Sequence, residues 1–185
     1  GKIVRPFKSD DRSLMRYKPG YKAENITTHY DWSAWGQFSD AVEMCNNNGA
    51  CRKLDSGVMC PSYRVTKEEK DLVRGRANTL RLALSNQLPE GSFASKEMFE
   101  TMELCVSCKA CQRECPMSVD MAKMKSEFLS HYYKKFSMSI KDKIISNMPK
   151  LIWLLKIIAP IFNTVKNIPL LDKVIEFFGF SSKRQ

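Results

Sequence analysis

Hydrophobic residues between positions 38 and 136 recur mainly at intervals of three and four, with polar residues between them. This is the spacing of α-helices that bury one face. Runs in which β-branched residues alternate with polar ones, as in half-buried strands, are absent from the sequence. The pattern therefore predicts an all-α fold, with the cysteines in loops at helix ends.

Four helices are predicted in this region. A short one, through Phe38, Ala41, Val42 and Met44, leads into Cys45. A capping-box pattern at Thr66–Glu69 predicts the start of the second helix. This helix is predicted to end before Pro89. Its buried stripe consists of Val73, Ala77, Leu80 and Leu84.

The other two helices have a serine at the predicted cap. Ser95 precedes a helix that runs through Phe99, Met102 and Leu104 into Cys105. Ser118 precedes a helix with a stripe of five apolar residues: Met121, Met124, Phe128, Tyr132 and Phe136. Serine hydroxyls at these positions accept hydrogen bonds from free amides of the first turn.

The two ends of the chain lack the helical periodicity seen between residues 38 and 136, or are interrupted by prolines. Residues 1–36 show no sustained periodicity and are predicted to form an irregular lead-in, anchored by Trp32 and Trp35. Residues 37–136 form the predicted helical domain. Residues 137–185 are predicted to form a basic, apolar helical tail that links to a further domain. Its segment Leu151–Phe180 is interrupted by Lys156, Pro160 and Pro169, which predicts short helices against a neighbouring domain, or alternatively contact with a membrane surface.

Charge and cysteine content narrow the functional classes. The chain of 185 residues has 30 Lys and Arg against 20 Asp and Glu. Most of this excess of positive charge lies from Met121 onward, where the sequence has twelve basic residues and four acidic ones. The seven cysteines are an odd number in a chain that opens without a secretory signal, which indicates a reducing compartment and thiols that act as ligands. We expect a cytoplasmic protein, with a peripheral position at the inner face of a membrane as an alternative.

The strongest motif is Cys105-x2-Cys108-x2-Cys111-x3-Cys115-Pro116. Three thiolates at this spacing reach three corners of one [4Fe–4S] cube, and the fourth cysteine ligates another cluster in two-cluster ferredoxins. Structural zinc is the alternative, although zinc sites usually take ligands from two separated pairs.

An imperfect copy of the motif lies upstream at Cys45, Cys51 and Cys60-Pro61, with Asn48 where a middle cysteine is expected. The cross-ligation rule assigns Cys60 to the cluster of Cys105, Cys108 and Cys111. Cys45, Cys51 and Cys115 then remain for a second site. That site is predicted to hold a [3Fe–4S] cluster, a [4Fe–4S] cluster with an unusual fourth ligand, or only structural thiols.

Two arginines follow the upstream motif, at Arg74 and Arg76. Positive charge at these positions could lie near a cluster and raise its reduction potential. Solvation of both residues on a helix surface is the alternative.

Several segments resemble the iron–sulfur part of FAD-linked oxidase and D-2-hydroxyacid dehydrogenase fusion proteins, over roughly residues 30–135. They are Asp31–Ser33, Ala41–Asn46, Gly57–Tyr63, Val65–Glu69, Arg74–Ala77, Cys105–Pro116, Val119–Ala122 and Lys125–Leu129. The resemblance implies an α-helical ferredoxin-like bundle between a flavin domain and a cysteine-rich C-terminal domain. FAD is then expected in the parent protein and not in this segment.

The resulting functional prediction is an electron-transfer module. It would relay single electrons from flavin, after oxidation of D-lactate, glycolate or 2-hydroxyglutarate, to a quinone or carrier. No glycine-rich phosphate loop of the Rossmann or Walker kind occurs in the sequence, so no catalytic site is predicted beyond electron transfer. The alternative is a structural iron–sulfur or zinc module that binds nucleic acid. We do not expect nucleic-acid binding, because the basic residues are not interleaved with aromatic ones as in stacking platforms.

Overall fold

A computed structural model describes residues 20–165 and Lys173, and in this part of the chain it contains helices and no strands. The predicted all-α class is therefore confirmed, whereas the ferredoxin-like arrangement stays a prediction. The helices are α1 (Phe38–Glu43), α2 (Pro61–Thr66), α3 (Val73–Leu84), α4 (Lys96–Glu103), α5 (Ala110–Glu114), α6 (Met121–Lys135) and α7 (Ile140–Val165). Short 3₁₀ turns occur at Ser33–Trp35, Ala50–Arg52, Glu69–Asp71 and Ser92–Ala94.

The chain divides into two compact units, Gly1–Lys135 and Phe136–Gln185. The first unit contains all seven cysteines, and α7 belongs to the second. The domain boundaries predicted from the sequence, after residues 36 and 136, stay predictions.

The core of the first unit is built from the predicted helical stripes. All four stripe residues of α3 are buried, as are Phe38, Ala41 and Val42 of α1. On α6, Met121, Met124 and Phe128 are buried, and Tyr132 packs against the core with part of its surface exposed. The periodicity therefore identified the faces on which these helices pack.

The lead-in is fastened to α6 by Glu127, whose side chain is completely buried. Its carboxylate accepts hydrogen bonds from the backbone N–H groups of His29 (2.8 Å) and Tyr30 (3.0 Å) and from the indole N–H of Trp32 (3.0 Å). Trp32 is itself buried. Residues 29–32 are thus held on the helical core by one carboxylate.

The capping box predicted at Thr66–Glu69 is wrong. Thr66 ends α2, and the left-handed backbone of Lys67 (φ 61°) turns the chain away at this point. Glu69 pairs with Arg74 and does not cap a helix. The next helix, α3, begins only at Val73 and has no side-chain cap from the preceding Leu72. A cysteine sulfur replaces the cap, because the N–H of Val73 donates to Sγ of Cys60.

The serine caps have different outcomes. Oγ of Ser95 accepts the N–H of Met98 (3.2 Å), which confirms the cap of α4. The cap predicted at Ser118 is wrong, since α6 begins at Met121 and Oδ1 of Asp120 accepts the N–H of Lys123 (3.0 Å). A carboxylate at this position also complements the positive end of the helix dipole.

Helix α7 corrects the prediction of short helices broken at Pro160. It continues through Pro149 and Pro160, since each proline removes one helical hydrogen bond without ending the helix. Pro169 lies outside the described residues. Ile152, Trp153 and Ile157 on α7 are largely exposed. Among the described residues, no helix is both long and apolar enough to cross a membrane.

Candidate metal centre

Four of the predicted ligands, Cys60, Cys105, Cys108 and Cys111, line a single cavity in the first unit. Cys60 comes from the upstream motif and the other three from the downstream motif. The fold therefore brings together the four thiols that the cross-ligation rule grouped. Their role as ligands stays a prediction.

Cys60 is held at this cavity by its backbone and by α3. The residue has a left-handed conformation (φ 53°), directly before Pro61 at the start of α2. Its sulfur accepts the backbone N–H of Val73 at 3.3 Å. The thiol is buried and fixed by the first residue of a helix.

The downstream loop curls through two left-handed residues, Ser107 (φ 53°) and Lys109 (φ 59°). Non-glycine residues adopt this conformation at a cost, so it persists where the surrounding structure requires it. The turns separate Cys105, which is partly buried, from Cys108, which is exposed, and from buried Cys111 at the start of α5. A loop of this shape can wrap around one corner of a cluster while its amides point at the cluster sulfides.

Two helix N-termini meet at the cavity. Val73 is the first residue of α3, Met121 is the first residue of α6, and both line the cavity. The free N–H groups of a first turn carry partial positive charge and favour anions. Thiolates and the negatively charged cluster they bind are the anions that this cavity would hold.

Two of these thiols, those of Cys60 and Cys111, have a raised pKa. Burial raises the pKa of Cys60 to about 12, and the N–H of Val73 offsets only part of the rise. Burial also raises the pKa of Cys111, against the opposing effect of the N–H groups of Met121 and Gln112. These two thiols are therefore neutral at neutral pH, and a bound metal would supply the charge that stabilises their thiolates.

Positive side chains stand beside these sulfurs. Arg76 belongs to the cavity wall, and its side chain is buried. Nζ of Lys125 donates to the backbone oxygens of Cys105 (2.6 Å) and Glu103 (3.0 Å). The donor set, the amide N–H groups and the positive charge all fit an iron–sulfur cluster.

The remaining three cysteines are less clearly grouped. Cys45 and Cys51 are both buried, and Cys45 lies close enough for its charge to raise the pKa of Cys51. Burial raises the pKa of Cys51, and the backbone N–H of Arg74 lowers it. Cys115 follows α5 and packs partly buried against the core. Within residues 20–165, no three His, Cys, Asp or Glu side chains form a group that could hold a single metal ion.

Asn48, which stands where the motif has a middle cysteine, has a structural role. Its Oδ1 accepts the N–H of Ala50 (2.8 Å), and its own N–H donates to Asn46 (3.2 Å). The residue is exposed and shapes the turn between Cys45 and Cys51.

Glu114, which no sequence motif pointed to, joins the two cysteine segments. Its carboxylate accepts the N–H of Val58 (2.9 Å) and the N–H of Met59 (3.1 Å), directly before Cys60. Arg64 fastens the same loop by donating to the backbone oxygens of Ser56 (2.8 Å) and Gly57 (2.7 Å). Gly57 was the available signal: its left-handed backbone (φ 72°) lies against Glu114, where a Cβ would collide with the carboxylate.

Comparison with known families identifies the region that carries these cysteines. Residues 41–119 match the family described as the 4Fe-4S dicluster domain. The match covers both cysteine motifs. This match indicates an iron–sulfur module in this part of the chain.

The chain is also similar to curated proteins named D-2-hydroxyglutarate dehydrogenase. It is 27% identical to that of Escherichia coli K12 over 76% of the chain and 17% of the relative. It is 27% identical to that of Pseudomonas putida KT2440 over 64% of the chain and 15% of the relative. For Haemophilus influenzae the identity is 27%, over 80% of the chain and 17% of the relative.

These similarities confirm the resemblance stated from the sequence. The chain spans about a sixth of the length of the curated relatives that it matches. No solved structure is significantly similar to it.

Proposed function

We propose that this chain relays single electrons between flavin and an acceptor within a larger FAD-linked D-2-hydroxyacid oxidoreductase. The relay would use a [4Fe–4S] cluster bound by Cys60, Cys105, Cys108 and Cys111. The observation that carries the proposal is the single cavity that these four thiols line, although they come from two distant segments.

A bound cluster supplies the one-electron step, and the chain's residues prepare the site for it. The left-handed turns at Ser107 and Lys109 curl the loop so that three of the thiols face one cavity. The N–H of Val73 orients the fourth thiol, that of Cys60. Apolar residues around the buried sulfurs limit water access and lower the local dielectric, which strengthens the effect of each nearby charge.

A second cluster, [3Fe–4S] or [4Fe–4S], is proposed at Cys45, Cys51 and Cys115. The match to a dicluster family supports it, as does the burial of Cys45 and Cys51 beside one another. Two clusters in one small domain would give a two-step path for the electron.

The partners proposed are the flavin domain and the cysteine-rich C-terminal domain of the parent protein, with a quinone or carrier as acceptor. The names of the relatives favour D-2-hydroxyglutarate as substrate, with D-lactate and glycolate as alternatives. The exposed apolar side chains of α7 support packing against a neighbouring domain. The parent protein would be cytoplasmic, and contact of α7 with the inner face of a membrane is the alternative use of this surface.

The test uses the parent protein with Cys108→Ser. Anaerobic addition of the hydroxy acid should bleach the cluster absorbance in the wild-type protein. In the variant, flavin should still be reduced while the first cluster is absent and its bleaching is lost. Ser107→Ala, a change beside the same sulfur, is the matched control and should keep the bleaching. Full electron transfer to the acceptor in Cys108→Ser would contradict the proposal.

A further inference from the structure

Arg76 is one of the largest fully buried side chains in the part of the chain that the structure describes, with 2% of its surface exposed. It lies one turn into α3 and forms part of the wall of the cavity that the four cysteines line. A buried guanidinium is costly unless its charge and its N–H groups are matched. Its surroundings therefore indicate what the charge is used for.

Four contacts hold the guanidinium in place. Nε donates to the backbone oxygen of Thr101 (2.9 Å), Nη1 donates to the backbone oxygen of Asp71 (2.7 Å), and Nη2 donates to Oγ of Ser62 (3.3 Å). Nη2 also forms an ion pair with Oδ1 of Asp71 at 3.6 Å, and both side chains of this pair are buried.

The ion pair is oriented with respect to the cavity. Arg76 belongs to the cavity wall, and Asp71 does not. The positive partner of the pair is therefore the one that borders the cavity. The charge of Arg76 acts on one of the four thiols, since it lowers the pKa of Cys60, which burial raises.

We propose that Arg76, oriented by Asp71, raises the reduction potential of the cluster held by Cys60, Cys105, Cys108 and Cys111. Reduction adds one negative charge to the cluster without a change in its ligands, and the electron comes from flavin or from dithionite. A fixed positive charge in a water-poor wall stabilises the reduced state more than the oxidised state. This inference rests on the proposed function, because it requires a redox-active cluster at these thiols.

Other charged residues near the site also affect the thiols. Lys125 interacts electrostatically with Cys105, and Asp120 interacts with Cys111. Asp120 is paired with Lys109 at 3.4 Å, and the lysine is largely exposed to solvent. Arg76 differs from these residues because its charge is fully buried and fixed by four contacts, so solvent and salt screen it least.

The test is a potentiometric titration of the reconstituted full chain, with the reduced-cluster EPR signal as readout. Arg76→Gln should lower the midpoint potential by about 59 mV, which corresponds to a tenfold shift in a one-electron equilibrium. Arg76→Lys keeps the charge and should restore most of the potential. Asp71→Asn leaves Arg76 without its counter-charge and should shift the potential upward. Arg81→Gln removes another buried arginine of α3 that does not line the cavity, and it should leave the potential unchanged.

These variants separate charge from structural support. If Arg76→Gln fails to fold, the double variant Asp71→Asn with Arg76→Gln removes the whole pair and should still show a lowered potential. Equal potentials in all the loaded variants would overturn the inference and leave the proposed function intact. The inference would also be overturned if every Arg76 and Asp71 variant lost the cluster while Arg81→Gln kept it, since the pair would then serve assembly. Absence of any iron–sulfur signal in the wild-type chain would contradict the proposed function itself.

Discussion

The backbone N–H of Val73 donates a hydrogen bond to Sγ of Cys60 over 3.3 Å, and this sulfur stands where a side-chain cap of α3 would be. A helix whose first N–H groups lack a cap is less stable at that end. A predicted metal ligand and the start of a core helix are therefore joined by one contact. Loss of the metal should affect the helix through this contact.

Removal of the cluster should loosen the N-terminus of α3 before the rest of the helix. A thiolate is a stronger hydrogen-bond acceptor than a thiol, so the contact to Val73 weakens when the metal leaves. Hydrogen exchange followed by mass spectrometry should show faster exchange at Val73 and Arg74 after chelation. The N-terminus of α4 is the internal control, because Ser95 caps it without a metal. Equal changes at both helix ends would contradict this prediction.

The assignment of Cys60 to the downstream cluster predicts different effects of two serine substitutions. Cys60→Ser should remove or convert the first cluster, because it removes one of the four thiols around the cavity. Cys45→Ser should leave that cluster intact. Iron and sulfide quantitation with EPR of the reduced chain checks both. The opposite pattern would show that Cys60 serves the site of Cys45 and Cys51.

Gly57→Ala should destabilise the protein more than a glycine substitution elsewhere. Both Gly57 and Gly91 have left-handed backbones, with φ of 72° and 77°, so alanine at either position costs about 1 kcal/mol. At Gly57 the added Cβ also displaces the Glu114 carboxylate from its bonds to Val58 and Met59. We expect a total loss of about 2–3 kcal/mol there.

Urea unfolding of Gly57→Ala and Gly91→Ala measures this difference directly. Glu114→Gln, which weakens the same hydrogen bonds without touching the glycine, should lower the free energy of unfolding by about 1–2 kcal/mol. Equal losses for the two glycine variants would show that the contact between Gly57 and Glu114 contributes nothing to stability.

The buried carboxylate of Glu127 should make the fold sensitive to acid. Burial raises the pKa of Glu127. Hydrogen bonds from the N–H of His29, the indole of Trp32 and the N–H of Tyr30 lower the pKa by more than burial raises it, so the net shift is downward. A lowered folded-state pKa stabilises the protein above the unfolded value of about 4.3, and this contribution is lost as pH falls through the folded value. The free energy of unfolding should therefore decline with pH below about 4.3.

Glu127→Gln tests the origin of that decline. It should lower the free energy of unfolding by about 2 kcal/mol at pH 7, since bonds to a charged acceptor are replaced by weaker ones. Its stability should also fall less steeply than that of the wild type between pH 5 and pH 3, values that bracket the ordinary pKa of about 4.3. Glu100→Gln, at an exposed position of α4, should behave like the wild type. A wild-type profile retained in Glu127→Gln would assign the acid sensitivity to another group.

Helical faces and the main thiol group could be predicted because they depend on local spacing. The stripe of α3 follows from residues three and four apart, and the grouping of Cys60 with the downstream cysteines follows from a general rule of cluster ligation. Neither requires knowledge of how distant segments pack.

The helix starts show why other features could not be predicted. A serine or threonine near a helix start competes with every other acceptor that the fold brings close. Asp120 takes the place of Ser118 within the same loop, and Cys60 takes the place of Thr66, although it lies thirteen residues before Val73, whose N–H it accepts. Of these two replacements, only that by Cys60 depends on tertiary structure.

Arg76 shows the same limit at the site. The sequence left open whether it lies near a cluster or on a solvated surface. The structure buries it, because Ser62, Asp71 and Thr101 converge from three segments to satisfy its donors. The local sequence pattern around Arg76 does not show which distant residues will contact its side chain.

The most direct test of the account is EPR with iron and sulfide quantitation on the anaerobically reconstituted chain, before and after dithionite. The account predicts a reduced-cubane signal that appears on reduction, with about four irons per chain for the first site and more if the second is filled. Cys60→Ser should lose the part of that signal, and of the iron content, that belongs to the first site. A chain that binds zinc and no iron, or one whose reduced-cubane signal and iron content are unchanged in Cys60→Ser, would contradict it.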